Sequence, residues 1–173
     1  DFFAKASKEN WYKNTLFVIT ADHTGPNTSW KKTALDDYRI PIIFYRPDGS
    51  LQGVNYDIMS HIDIMPSVLH LLDVDESIFA FGRNIFDRTC EKYAINYKMG
   101  IYQYVDEDYF LYFDGEKTIA IYDWKTDKKL KNNLVGQVDL QGDIRIMEAK
   151  VKKSIQNYHH ALIENKMISN GGF

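Results

Sequence analysis

An apolar run, Leu16 to Thr20, breaks abruptly into Asp22-His23, followed by Thr24, Gly25, Pro26 and Asn27. A carboxylate and a neutral imidazole side by side are donors suited to a divalent cation, zinc or manganese before others. In a straight strand two adjacent side chains point to opposite faces, but where a strand ends the backbone turns and both can face one ion. Ligand sites in open α/β sheets lie beyond the carboxyl ends of strands, which is where this pair stands. The competing reading is structural: Asp22 caps a turn and His23 is a partly buried hydrogen-bonding residue. Two residues supply only half of a usual metal shell.

Further ligands are scarce. Asp36 and Asp37 precede the second apolar run, where solvated acids are the default. His61 and Asp63 open a helical pattern, and an aspartate there is more often a cap than a ligand. His70, His159 and His160 fall within helical stretches and read as structural. Ser60, Thr24 and Thr28 carry hydroxyls, yet none stands beside a base as an activated nucleophile would.

The elements that must position the pair follow from patterning. "LFVIT" is unbroken by polar residues and predicts a strand buried on both faces, as in parallel α/β sheets. A second strand is expected at about 41–46, ending in the turn Pro47-Asp48-Gly49. "SHIDIMPSVLHLLDV" predicts a helix, with Ile62, Met65, Leu69 and Leu72 in one stripe thickened by Val68. Ser60 or Asp63 can cap it, and Pro66, tolerated only in a first turn, favours Asp63. From Tyr93 to Trp124 polar and apolar residues alternate, with Asp114-Gly115 marking a hairpin. Ile144, Met147, Val151, Ile155, Tyr158 and Leu162 then define an amphipathic helix over about 143–165, suited to covering one face of that sheet. Two parts result: residues 1–88, the carboxyl-terminal portion of an α/β domain, and residues 89–173, a small antiparallel sheet with a covering helix.

Composition bounds the function. The 173 residues are 45% hydrophobic and 26% charged, with net charge -3 and one cysteine. That balance is globular, gives no basic surplus for nucleic acid and leaves no internal disulfide. No apolar run is long enough to span a bilayer. The chain opens at Asp1 within a helical pattern, so a longer polypeptide or a processed product is expected.

Taken in order, "NTLFVITADHTG", "YRIPIIFYRPDG", "SHIDIMPSVLHLL" and "FGRNIF" resemble the carboxyl-terminal part of the sulfatase-like domain of the alkaline phosphatase superfamily. Within it they most resemble the lipoteichoic acid synthase (phosphoglycerol transferase) group, and Asp-His-x-Gly, with Thr24 before Gly25, points the same way. The Tyr-rich sheet and the helix containing "IQNYHHALIENKMI" are similar to the small carboxyl-terminal subdomain of those proteins. The resemblance implies an alkaline-phosphatase-like mixed sheet with flanking helices, followed by the small antiparallel sheet and its helix. It implies that Asp22 and His23 bind a catalytic divalent metal, manganese or zinc first, with magnesium or calcium as alternatives. The hydroxyl nucleophile, the remaining metal ligands and the substrate-binding groups would lie upstream of residue 1, so that this segment alone would be inactive. The substrate would be a phosphate or sulfate ester of a lipid or glycan, and the whole protein would be anchored by amino-terminal helices at the extracytoplasmic face of the bacterial membrane. Three functions follow in order: a phosphoglycerol-transferase-type enzyme, a sulfatase or phosphodiesterase, and a binding module that kept the fold without the chemistry.

Overall fold

The computed structural model describes residues 1–25, 33–76 and 78–167. The loop from Pro26 to Lys32, including Thr28, lies outside the described residues. The chain divides into two compact units, Asp1–Tyr56 and the part from Asp57 on. The helix at 64–71 therefore groups with the carboxyl-terminal sheet.

The first unit holds a short helix α1 (Phe2–Ala6) and two strands, β1 (Phe17–Thr20) and β2 (Ile42–Tyr45). Here the sequence expectation needs correcting. The strand β1 pairs antiparallel with β2, Phe17 opposite Tyr45 and Thr20 opposite Ile42. Among the described residues it is not buried on both faces: Ile19 is 40% exposed and its cross-strand partner Ile43 47%. An unbroken apolar run does not specify how many neighbours a strand has, so it cannot separate a central strand from half of an open ribbon.

An aromatic cluster holds the unit together. The Phe17 ring lies 5.2 Å from Phe3, 5.6 Å from Tyr12 and 5.9 Å from Tyr45. The Tyr12 and Tyr45 hydroxyls share a 2.9 Å hydrogen bond, which keeps the Tyr12 proton on and raises its pKa. After β2 the turn is tied by the Gly49 amide donating to the Arg46 carbonyl, with Gly49 at φ +74°. Only Gly takes that backbone region without strain.

The second unit contains the helix α2 (Ile64–Leu71), four strands β3 (Tyr93–Lys98), β4 (Ile101–Asp106), β5 (Tyr109–Phe113) and β6 (Thr118–Asp123), and a long helix α3 (Gln141–Ile163). The strands form an antiparallel meander in chain order. The first hairpin turns through Met99 and Gly100, both at positive φ, which matches the right-handed twist of the flanking strands. Asp114-Gly115 does mark a hairpin, but the loop runs to Lys117 because the Asp114 carboxylate accepts the Glu116 and Lys117 amides at 2.8 Å. The outer edge of β6 is closed by Asn133 and Leu134, whose groups bond the Ile121 amide and carbonyl at 3.1 and 2.9 Å. An unpaired edge is thereby covered.

Tyr104, Leu111, Phe113 and Ile121 from the sheet pack on Ile144, Met147 and Val151 of α3. Burying each such side chain contributes about 1.5–3 kcal/mol. Past Ile155 the stripe outruns the sheet, leaving Tyr158 and Leu162 half exposed. One polar contact joins helix to sheet: the Glu148 carboxylate accepts the Thr118 amide at 2.7 Å and its hydroxyl at 2.8 Å. Burial opposes ionisation of Glu148, but the Thr118 donors outweigh it and hold the carboxyl below its ordinary range.

The start of α2 is organised by a buried acid. Asp63 is 0% exposed. Its carboxylate accepts the Ser60 amide at 2.7 Å, completing a capping box, and the Arg83 amide at 2.8 Å. The Arg83 guanidinium lies 3.3 Å from the same carboxylate, sits 4.1 Å over the Tyr93 ring and donates to the Glu91 and Tyr93 carbonyls. A Cβ on Gly82 would stand 1.9 Å from the Ile62 carbonyl oxygen, so the chain can pass there only as glycine. The cap is therefore Ser60, with Asp63 as the third residue of its capping box; Asp63, which Pro66 favoured as the cap, makes no side-chain cap bond to α2. The stripe that patterned the helix, however, is partly open: Ile62, Met65 and Leu72 are 54%, 47% and 51% exposed.

Three measurements check this fold. Arg83→Met leaves Asp63 buried without its cation and is expected to destabilise the second unit by about 3–5 kcal/mol in urea unfolding. A loss under about 1 kcal/mol would show the pair to be peripheral. Because Glu148 ionises more readily folded than unfolded, its contribution is present above the ordinary glutamate pKa and fades as pH falls through the depressed value. Glu148→Gln should therefore cost about 1 kcal/mol at pH 7 and little at pH 3; a gap that is the same at both pH values contradicts the assignment. In hydrogen exchange, the Phe17–Ile19 amides of the open ribbon should exchange at least about 100-fold faster than those of Ile119–Tyr122. Equal protection would mean the first unit is as stable as the second.

Candidate metal centre

The strand β1 stops at Thr20, whose hydroxyl donates to the Pro41 carbonyl at 3.1 Å. The chain then turns through Ala21, so Asp22 and His23 no longer alternate across a sheet. Both side chains come to the same side. The Asp22 Oδ1 accepts the His23 backbone amide at 2.9 Å. Its Oδ2 stands 3.5 Å from His23 Nε2, and the two side chains are 87% and 66% exposed.

The other imidazole nitrogen, Nδ1, lies 2.9 Å from the Thr24 carbonyl oxygen. A carbonyl only accepts, so in this hydrogen bond Nδ1 carries the proton and the lone pair of the neutral ring resides on Nε2. On a neutral ring protonated at Nδ1, that lone pair and a carboxylate oxygen converge at 3.5 Å. Two ligands each about 2.0–2.1 Å from a tetrahedral zinc stand about 3.4 Å apart. The donor set and its spacing fit two adjacent corners of a divalent metal shell. A protonated ring would instead make an exposed ion pair of little energetic value.

The neighbouring acids are otherwise engaged. Asp36 Oδ2 accepts the Thr33 amide and hydroxyl, both at 2.9 Å, as a turn-forming acid does. The Asp37 backbone carbonyl faces Thr24, whose amide and hydroxyl approach it at 3.5 and 3.4 Å. His61, His70, His159 and His160 are exposed, and Asp63 is occupied by Ser60 and Arg83. Among the described residues no group of three or more His, Cys, Asp or Glu side chains is placed to hold an ion. Of the candidate metal ligands read from sequence, Asp22 and His23 bring their side-chain donor atoms together, at 3.5 Å. Two small apolar clefts, of ≈ 240 and ≈ 250 Å³, lie along Phe79–Phe81 and carry no comparable donor set.

Sequence reasoning did not find the Asp63–Arg83 pair. Its partners are 20 residues apart, and only the glycine before Arg83 hinted at a close backbone approach.

Residues 1–74 match the family model of the sulfatases. Among known proteins the chain is similar to lipoteichoic acid synthase 1 of Bacillus subtilis (strain 168), 27% identical over 146 residues, which covers 76% of this chain and 21% of that protein. It thus spans about a fifth of the length of that relative. Its fold is shared with a protein of the alkaline phosphatase superfamily from Vibrio parahaemolyticus, at a TM-score of 0.74 and 20% identity, covering 98% of this chain and 40% of that one. No helix among the described residues is long and apolar enough to cross a membrane.

Proposed function

We infer that this chain supplies half of the metal shell of a phosphate-ester transferase or hydrolase of the phosphoglycerol transferase type, with Asp22 and His23 as the ligands it contributes. The observation that carries this reading is the convergence of Asp22 Oδ2 and the His23 Nε2 lone pair at 3.5 Å just beyond the end of β1. The similarity to a lipoteichoic acid synthase supports phosphate over sulfate chemistry.

In this reading the two residues bind and orient; neither moves a proton. Asp22 is fixed by the bond from the His23 amide to Oδ1, which leaves Oδ2 as the free corner. His23 is fixed by the Thr24 carbonyl, which leaves Nε2 as the other. A divalent ion held there would lower the pKa of a hydroxyl nucleophile and neutralise charge on the transferring phosphoryl group. The nucleophile and the remaining ligands come from another part of the polypeptide. The substrate is then a phosphate ester of a lipid or glycan, and the site of action the extracytoplasmic face of the membrane.

Two ligands leave most of a metal shell to water, so the 173-residue chain alone should bind Mn²⁺ more weakly than micromolar. Paramagnetic broadening in an NMR titration should start at the Asp22–Gly25 amides and vanish in Asp22→Ala. The same chain should not turn over aryl phosphates or aryl sulfates. In the whole polypeptide, Asp22→Ala or His23→Gln should lower phosphodiester turnover by about 1,000-fold, the several kcal/mol that a metal supplies. Broadening indifferent to Asp22→Ala, or turnover that survives both substitutions, would refute the assignment. Hydrolysis of sulfate esters alone by the whole polypeptide would refute its phosphate part.

A further inference from the structure

We propose that Thr24 is the positioning residue of the pair, coupling His23 to the backbone of the 3₁₀ turn Asp36–Tyr38 and thereby presetting which imidazole nitrogen faces the metal. The inference rests on the metal reading above but concerns a step that precedes metal binding.

Thr24 is used three ways. Its carbonyl accepts from His23 Nδ1 at 2.9 Å. Its amide and its hydroxyl both approach the single carbonyl oxygen of Asp37, at 3.5 and 3.4 Å. Both contacts are long, so each is weak alone, and together they hold Thr24 at its amide and its side chain, on either bond of the Cα that also bears the carbonyl accepting from His23 Nδ1. Thr24 is partly buried while Asp22 and His23 are exposed, so it is the anchored residue of the three.

The turn that receives Thr24 is itself held. The Asp36 carboxylate accepts the amide and hydroxyl of Thr33, and the Tyr38 and Arg39 amides bond back to Leu35 and Asp36 at 3.2 and 3.3 Å. The order of support runs from the Thr33–Asp36 cap to the Asp37 carbonyl, to Thr24, to His23 Nδ1. An exposed histidine free of this chain would divide its proton between both nitrogens and sample several ring orientations. Groups bonded to the back of a metal-binding histidine commonly change metal affinity by about 10–100-fold.

Residue type matters at position 24. The tether requires a hydroxyl in addition to the backbone amide. Serine retains it, whereas valine has the shape of threonine without the donor. Glycine or alanine would keep the carbonyl but lose the hydroxyl contact to Asp37.

The test uses the 173-residue chain without metal, at a pH where His23 is neutral. Long-range ¹H–¹⁵N spectra of ¹⁵N-labelled protein distinguish a protonated Nδ1 from a protonated Nε2. We expect His23 to be mainly Nδ1-protonated in the wild type and in Thr24→Ser, and mixed in Thr24→Val. Mn²⁺ broadening at Gly25 should need roughly tenfold more metal in Thr24→Val, with Thr24→Ser near wild type. The amides of β3–β6 report that the rest of the chain is folded. Should Thr24→Val disorder β1, Thr24→Ala takes its place with the same expected mixture. A wild-type His23 protonated on Nε2, or a tautomer unchanged in both Thr24→Val and Thr24→Ala, overturns the role of Thr24 whatever the metal does. Loss of Nδ1 protonation in Thr24→Ser overturns it as well. A preset tautomer with no Mn²⁺ broadening at any concentration would instead sink the metal reading and with it the purpose of the tether.

Discussion

A carboxylate with no solvent exposure must be given partners, and in this chain that demand, made by Asp63, organises the larger unit. Two backbone amides and one guanidinium meet it. The Ser60 amide sets where the helical turn begins. The Arg83 amide and side chain bring the segment 82–83 against it, and Gly82 is needed because the Ile62 carbonyl leaves no room for a Cβ. The same guanidinium continues to the Glu91 and Tyr93 carbonyls and to the Tyr93 ring, at the entry of the first strand of the meander. Helix start, connecting segment and sheet entry are thus tied through one buried charge. Removing either charge strands the other in a low-dielectric site, which is why such pairs resist single substitution although they add little net stability.

The same logic of satisfied donors, at much lower burial, operates at Asp22-His23. There the atoms left over are the informative ones. Two donors of His23 have acceptors: its amide on Asp22 Oδ1 and its imidazole Nδ1 on the Thr24 carbonyl. On a neutral ring protonated at Nδ1, the Nε2 lone pair and Asp22 Oδ2 face each other at 3.5 Å, an arrangement that repels unless a cation lies between. Both side chains are open to solvent, and the backbone beside them is anchored by Thr20 on the Pro41 carbonyl and by Thr24 on the Asp37 carbonyl.

Much of this was legible in the sequence. The alternation from Tyr93 to Trp124 predicts an antiparallel sheet, and the stripe Ile144, Met147, Val151 predicts the covering helix, because local period and burial agree there. Asp22-His23 stands out because ligand-type residues interrupt an apolar run, and the order of motifs carries the resemblance to sulfatase-like proteins, whose family model matches residues 1–74. The pairing of the first strand was misread: its apolar run predicted a doubly covered parallel strand, whereas pairing direction depends on neighbours that the run does not encode. The Asp63–Arg83 pair was invisible for a similar reason, since an aspartate at a helix start already had a sufficient local explanation in the cap. The stripe of the short helix was read correctly in period, yet Ile62, Met65 and Leu72 keep half their surface exposed, because periodicity names a face without naming what covers it.

The central claim, that Asp22 and His23 are adjacent corners of a metal shell, is tested most directly by locating the metal. Crystals of the whole polypeptide grown with Mn²⁺ can be measured on both sides of the manganese absorption edge. The account predicts an anomalous peak within about 2.0–2.3 Å of both His23 Nε2 and Asp22 Oδ2, with Nδ1 still on the Thr24 carbonyl. A manganese peak elsewhere, with His23 Nε2 donating directly to Asp22, would contradict it.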